Sequence, residues 1–184
     1  NAINATAPQE AKIQTLLDPY NPTGSTAHVN FNTSKDTWKT RSDRSHLNLV
    51  VTDSDWEAQF ARAAEAHPAV LSYAKNQGLG LEVPYLLGSD SRRYLPDFLL
   101  KVDDGRGPDD PLNLIVEIKG FRGEDAKAKA DTMRVYWIPG INHLKKFGRW
   151  AFAEFTEPYS MDTDLSDLIA KQITDILPSL YVYQ

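Results

Sequence analysis

Two apolar segments joined by a polar loop constrain the fold of this chain more than any other feature of its sequence. Residues 94–102 and 112–119 are rich in branched and aromatic side chains, and the loop between them contains only Asp, Gly, Arg and Pro. This pattern predicts two antiparallel strands joined as a hairpin. The hairpin is expected to place Asp97 opposite Glu117 to Lys119. A shift of one residue in register would turn Asp97 to the other face, so the pairing decides whether these side chains meet.

The rest of the chain predicts helices and strands in alternation. Ser54-Asp55-Trp56-Glu57 is typical of a capping box that begins a helix, in which Ser54 accepts from the Glu57 N–H and Glu57 reaches back. We expect this helix to resume after Pro68 and to end at Asn76-Gln77-Gly78. The other predicted helices cover residues 124–137, ended by Pro139-Gly140, and 164–177. The other predicted strands cover residues 46–51, 81–87 and 150–155. This order indicates one mixed α/β domain, of the α+β kind with a mixed sheet.

Composition limits the domain organisation and the class of protein. Residues 1–45 are polar and rich in turn-forming residues, so we expect an irregular arm there, with a short strand around residues 29–31, before a domain of residues 46–184. The start Asn1-Ala2 indicates a cloned fragment of a larger protein. No apolar run approaches the roughly 20 residues that span a membrane, and no Gly-rich phosphate loop is present. We therefore expect no membrane contact and no ATP site in this fragment. The absence of cysteine is compatible with a reducing cytoplasm.

The net charge of −5 argues mildly against a dedicated DNA-binding protein, which is usually basic. The charges are distributed unevenly, however, because Lys and Arg exceed Asp and Glu between residues 119 and 149. Lys127, Lys129 and Arg134 lie on the predicted helix 124–137 and form a candidate DNA-binding face. An ordinary solvated helix surface explains them equally well.

The predicted hairpin carries the residue types that phosphodiester hydrolysis needs. The carboxylates of Asp97 and Glu117 offer the hard oxygen ligands that Mg²⁺ prefers. An adjacent lysine, Lys119, can orient or deprotonate a water molecule, or stabilise the developing negative charge. A Glu-x-Lys sequence on a strand is common, and a solvent-facing amphipathic strand is the alternative explanation.

Pro96-Asp97 followed by Glu117-Ile118-Lys119 resembles the PD-(D/E)xK nuclease signature, whose core is a helix, a three-stranded meander, a helix and a strand. Further segments resemble the C-terminal endonuclease domain of type III restriction enzymes. In chain order these segments are residues 46–57, 73–76, 94–98, 118–120, 129–134, 136–142 and 147–152. The likeness covers roughly residues 29–156.

The resemblance implies that Asp97 and Glu117 bind Mg²⁺, for which Mn²⁺ can substitute, and that Lys119 is the catalytic cation. Glu57 is a candidate fourth catalytic residue, since many relatives carry a carboxylate on the first core helix; its capping role is the alternative. Tyr94 is a candidate for positioning substrate, with plain packing as the alternative. Trp56, Trp137 and Trp150 are interpreted as core.

The resemblance also implies partners and an activity. The substrate would be double-stranded DNA, and the parent enzyme would add an ATP-driven translocase and a methyltransferase subunit that recognises the DNA sequence. Two alternatives remain open: another nuclease with the same core, and a degenerate core that serves as a non-catalytic DNA-binding or docking module.

Overall fold

The computed structural model describes residues 23–118 and 123–180. Its strands are β1 (Thr37–Lys39), β2 (Leu49–Val51), β3 (Val70–Lys75), β4 (Val83–Leu87), β5 (Asp90–Tyr94), β6 (Phe98–Val102), β7 (Leu112–Ile118) and β8 (Arg149–Phe155). Its α-helices are α1 (Asp55–Ala66), α2 (Glu124–Thr132), α3 (Ile138–Leu144) and α4 (Met161–Leu180), and a π-helical turn, Met133–Trp137, joins α2 to α3. Within these described ranges no helix has the length and apolarity needed to cross a membrane.

A four-stranded mixed sheet forms the centre of the molecule, in the order β3-β6-β7-β8. The pairs β3–β6 and β6–β7 are antiparallel, whereas β7–β8 is parallel. A parallel pair requires a crossover connection, and α2 and α3 supply it. The path α1–β3–β6–β7–α2–β8 is therefore a helix, a three-stranded meander, a helix and a strand. This confirms the predicted restriction-endonuclease-like fold.

Both faces of the sheet are covered. On one face α1 and α4 pack against the sheet, and the ring of Phe60 lies 5.0 Å from that of Phe98 and 5.1 Å from that of Phe155, measured between centroids. On the other face the β4–β5 hairpin and the α2–α3 connection cover Ile115, which is fully buried with Met133. Because β7 is buried on both faces, it contains consecutive apolar residues, whereas a half-exposed strand alternates apolar and polar residues.

The expected second helical segment, from Pro68 to Asn76-Gln77-Gly78, is wrong. Helix α1 ends at Ala66, and residues 70–75 form strand β3. These residues pair along β6, from Val70 opposite Val102 to Lys75 opposite Phe98. Pairing with a distant strand overrides the weak local helix preference of this segment.

The expected helix stop at Pro139-Gly140 is also wrong. The π-helical turn changes the helical register before Pro139, which then lies in the first turn of α3. Proline is tolerated in the first turn of a helical segment, because its fixed φ of about −65° is already helical. Helix α3 ends instead before Lys145, which adopts a left-handed conformation with φ 51°.

The strands differ from expectation mainly in their ends. No strand forms at residues 29–31; the strand that pairs with β2 is β1, and β2 is shorter than the predicted 46–51. The segments predicted as 81–87 and 94–102 yield three strands, since β4 and β5 form a hairpin of their own. Gly88, with φ 61°, opens its two-residue turn. The capped start of α1, strand β8 and helix α4 are confirmed, with α4 beginning earlier, at Met161.

Candidate active site

The β6–β7 hairpin brings Asp97 and Glu117 together. Phe98 pairs with Val116, and the same register continued by one residue places Asp97 opposite Glu117. Asp97 Oδ2 accepts a hydrogen bond of 2.6 Å from the backbone N–H of Ile118. This register makes Asp97 and Glu117 neighbouring positions at the end of the hairpin.

Glu117 lies on the covered face of the sheet. It shares that face with Ile115, which is fully buried beneath the β4–β5 hairpin, and it is itself half-buried. The alternative of a solvent-facing amphipathic strand is wrong for β7. A carboxylate in such surroundings needs compensation by a cation or a hydrogen-bond donor.

Glu57 takes part in the capping box predicted at the start of α1. Its N–H donates to Ser54 Oγ at 3.4 Å, and its Oε2 accepts from the backbone N–H of Asp53 at 2.7 Å. The return bond thus reaches the residue before the cap rather than the cap itself. Glu57 is only 7% exposed, so its carboxylate lies inside the protein beside the site.

Lys75, at the end of β3, forms ion pairs with two carboxylates beside the site. Its ammonium donates to Glu57 Oε2 at 2.5 Å, to Asp53 Oδ2 at 2.9 Å and to the carbonyl of Val51 at 2.7 Å. The residue is 6% exposed. Sequence reasoning missed this role, since a helix was expected there. The sequence did contain one signal: Lys75 directly follows the mostly apolar residues 70–74. A lysine buried at the end of such a segment needs carboxylate partners.

The negative charge of Asp97 is disfavoured in the folded protein. Burial raises its pKa to about 6; the hydrogen bond from Ile118 opposes this rise, and the neighbouring charge of Glu57 adds to it. In contrast, hydrogen bonds from Lys35 and Lys75 lower the pKa of Asp53. A cation bound at Asp97 would relieve the cost of its negative charge.

The residues present fit a two-carboxylate magnesium site. Mg²⁺ is commonly bound through one or two carboxylates while it keeps several waters, and Asp97 and Glu117 are a donor pair of that kind. Among the residues that the structure describes, no group of three His, Asp or Glu side chains could hold a metal ion. Lys119, the expected catalytic cation, lies outside the described residues.

Lys129 points toward the β4–β5 hairpin. Its ammonium pairs with Asp125 at 2.6 Å and lies 5.5 Å and 5.6 Å from the ring centroids of Tyr85 and Tyr94. Its side chain is 24% exposed. Lys129 therefore connects α2 to the hairpin, and its side chain remains partly exposed.

Lys127 and Arg134 line a shallow groove of about 220 Å³ between α2 and the end of β8. Arg134 is ion-paired with Glu154 and its guanidinium lies 5.6 Å from the ring centroid of Phe152. Glu154 is the parallel partner of Glu117, so the groove begins one strand away from the carboxylate pair. Lys127 is exposed at its rim.

Residues 43–157 match the model of a protein family described as an endonuclease domain. The chain belongs to this family. The match covers more than half of the chain and contains the whole four-stranded sheet with Asp97 and Glu117. The protein is thus a restriction-type endonuclease domain and, by this membership, a nuclease and a hydrolase. No curated protein and no solved structure gave a significant match.

Proposed function

We propose that this endonuclease domain hydrolyses phosphodiester bonds of double-stranded DNA with Mg²⁺ held by Asp97 and Glu117. The observation that carries the proposal is the placement of Asp97 opposite Glu117 at the end of a hairpin, where burial disfavours the charge of Asp97. Two carboxylates at neighbouring positions can supply the hard oxygen ligands that Mg²⁺ prefers.

Each side chain of the site has a separate proposed role. When bound, the metal lowers the pKa of a coordinated water and neutralises charge on the phosphate. Asp97 and Glu117 would hold it, and Lys119, two residues after Glu117, would supply a positive charge. Glu57 is a candidate fourth catalytic residue. Since its carboxylate raises the pKa of Asp97, we assign it an electrostatic influence on that residue.

The proposed substrate and partners follow from the resemblance to type III restriction enzymes. The domain would be their cleavage module, with an ATP-driven translocase in the parent chain and a methyltransferase subunit that selects the site. DNA contacts would involve Lys127, Lys129 and Arg134. Lys127 and Arg134 line a groove, together with Asp131 and Glu154, and what supports this groove as a DNA contact is its position beside the strand that carries Glu117.

Calorimetric titration with Mn²⁺ tests the metal site. We expect wild-type protein to bind Mn²⁺, and Asp97→Ala and Glu117→Ala to lose binding while remaining folded, because each removes one of two ligands. Asp109→Ala is the matched control; it removes the same charge from an exposed position in the β6–β7 loop and should bind as wild type does.

Cleavage assays with Lys119→Ala then test the catalytic cation. A wild type that binds no Mn²⁺, even with a short DNA duplex present, would instead favour the non-catalytic docking module.

The DNA face makes a separate prediction. Replacing Lys127 by Ala should weaken duplex binding and reduce the slope of log affinity against log salt by about 1, because one phosphate contact is lost. Fluorescence anisotropy with a labelled duplex over a range of salt concentrations measures this slope. Lys171→Ala, exposed on α4 across the sheet, should leave the slope unchanged. Equal slopes for the two variants would contradict the assignment of α2 to the DNA.

A further inference from the structure

The ammonium of Lys75 fills a small site lined by oxygen atoms between β2 and the start of α1. It donates to Glu57 Oε2 at 2.5 Å, to Asp53 Oδ2 at 2.9 Å and to the backbone carbonyl of Val51 at 2.7 Å. An ammonium has three N–H donors, so each of them has an acceptor here. The side chains of Lys75 and Glu57 are almost fully buried, whereas that of Asp53 is 45% exposed. This site, the Lys75 site, therefore borders solvent at Asp53.

The charges around the Lys75 site cancel. Asp53 Oδ1 is paired with the ammonium of Lys35 at 2.5 Å, while Asp53 Oδ2 and Glu57 Oε2 are both paired with Lys75. Two carboxylates thus face two ammonium groups. Carboxylate and backbone carbonyl oxygens are also the ligands that divalent cations such as Mg²⁺ and Ca²⁺ take in proteins. A divalent ion could enter the Lys75 site only by displacing a buried ammonium with which both carboxylates are already paired.

The Lys75 site is joined to the proposed metal site through the backbone. Lys75 lies opposite Phe98 in the β3–β6 pair. The backbone N–H of the next residue, Asn76, donates to the backbone carbonyl of Asp97 at 2.8 Å. The end of β3 that carries the ammonium is therefore hydrogen-bonded to the residue that is proposed to bind Mg²⁺. A cation at the Lys75 site and a metal ion at Asp97 belong to the same end of the sheet.

We propose that Lys75 is a positioning residue of the active site: its ammonium holds Glu57 and Asp53 in place of a second metal ion, so that the domain binds one divalent cation. That cation is the one proposed at Asp97 and Glu117, so the number of ions rests on the proposed function, whereas the filled Lys75 site does not. Two-metal hydrolases use a second ion to stabilise charge near the first. Here a lysine supplies that charge, and Glu57 is not a metal ligand.

The test is Lys75→Ala, with Lys39→Ala as the matched control. Calorimetric titration should give one Mn²⁺ per wild-type chain and two per Lys75→Ala chain, because removal of the ammonium leaves two carboxylates and a carbonyl for a second ion. Lys39 is exposed at the end of β1, so Lys39→Ala should bind one ion, as wild type does. Lys75→Ala combined with Glu57→Gln should also bind one, because the new site has lost a carboxylate.

Thermal unfolding followed by circular dichroism covers the case in which Lys75→Ala does not fold without metal. Mn²⁺ should raise the unfolding midpoint of Lys75→Ala by more than that of wild type, because two ions rather than one bind the folded protein. A purely structural ion pair predicts no such additional effect of Mn²⁺. Two ions per wild-type chain would overturn the inference. So would an equal ion number and midpoint shift in Lys75→Ala, or a Lys75→Ala chain that Mn²⁺ does not fold.

The Asp97→Ala background separates this inference from the proposed function. Asp97→Ala should bind no Mn²⁺, and Asp97→Ala with Lys75→Ala should bind one ion, at Glu57 and Asp53. If the proposed function fails, wild type binds none while Lys75→Ala binds one, which supports the filled Lys75 site and overturns the metal ion at Asp97. If only the present inference fails, wild type and Lys75→Ala each bind one ion, and both lose it in the Asp97→Ala background.

Discussion

The Asp97→Asn variant is expected to lose metal-dependent cleavage and yet to be more stable than wild type in metal-free buffer at neutral pH. The pKa of Asp97 is about 6 in the folded protein, against 3.8 for an ordinary aspartate, mainly because of burial. A carboxyl with a raised folded pKa favours folding while it is neutral, and that contribution is lost as pH rises through about 6. Asparagine has no charge to bury and retains a side-chain oxygen that can accept from the N–H of Ile118.

The size of this effect depends on pH in a defined way. Near pH 4 the two proteins should differ little, and above pH 6 the variant should gain about 2–3 kcal/mol in free energy of unfolding, since each unit of pKa shift is worth about 1.4 kcal/mol. Urea unfolding in the presence of a chelator at pH 4 and pH 7.5 measures both values. Asp109→Asn, exposed in the loop, controls for the change in net charge. A variant that is less stable than wild type at pH 7.5 would contradict the assigned burial cost.

Added Mn²⁺ should reverse the ranking. A ligand that binds only the folded protein stabilises it by an amount that grows with the logarithm of the free ligand concentration above Kd, and the metal is expected to bind wild type but not Asp97→Asn. If Asp97→Asn is the more stable protein without metal and wild type is the more stable one with metal, the same unfolding curves support both the burial cost of Asp97 and its role as a metal ligand.

Replacing Lys75 by Met should destabilise the fold by about 3–5 kcal/mol, because the buried carboxylate of Glu57 is left without its cation. Lys75 and Glu57 have side chains that are only 8% and 9% exposed, and their charged atoms are 2.5 Å apart. The surface pairs of this chain are expected to contribute far less each. Urea unfolding at pH 7 measures the loss.

The double variant Lys75→Met with Glu57→Gln separates charge from packing. It should recover much of the lost stability, because no uncompensated charge remains buried. Lys39→Met, an exposed lysine at the end of β1, should change stability by less than about 1 kcal/mol. A loss of that small size in Lys75→Met itself would show that the lysine is not needed to compensate Glu57.

Lys75 also connects stability to the active site. Its charge lowers the pKa of Asp97, whereas the charges of Glu57 and Asp53 raise it. The ion cluster at the start of α1 and the end of β3 therefore adjusts the charge of the proposed metal ligand. It does so without being part of the carboxylate pair.

Local chemistry made several elements predictable from the sequence. Ser54 and Glu57, which form the cap at the start of α1, are only three residues apart, so the cap needs no distant partner. The β6–β7 hairpin is joined by a loop whose composition permits little but a turn. Counting outward from that loop predicts Asp97 near Glu117, and the register of β6 and β7, continued by one residue, agrees. The candidate carboxylates could be named because they belong to one such local unit. Lys119 belongs to it in sequence but lies outside the described residues.

The sequence alone therefore predicted the fold class, the β6–β7 hairpin and two candidate carboxylates, whereas tertiary structure decided which segment is the first strand of the meander and what surrounds those carboxylates. Residues 70–75 are a strand because β6 offers them hydrogen bonds, and this brings Lys75 to Glu57. The β4–β5 hairpin folds over the sheet and buries the hydroxyl of Tyr94 near Glu117. Caps, turns and hairpin registers depend on residues within one or two dozen positions. Burial and strand pairing depend on partners far along the chain, which no local pattern specifies.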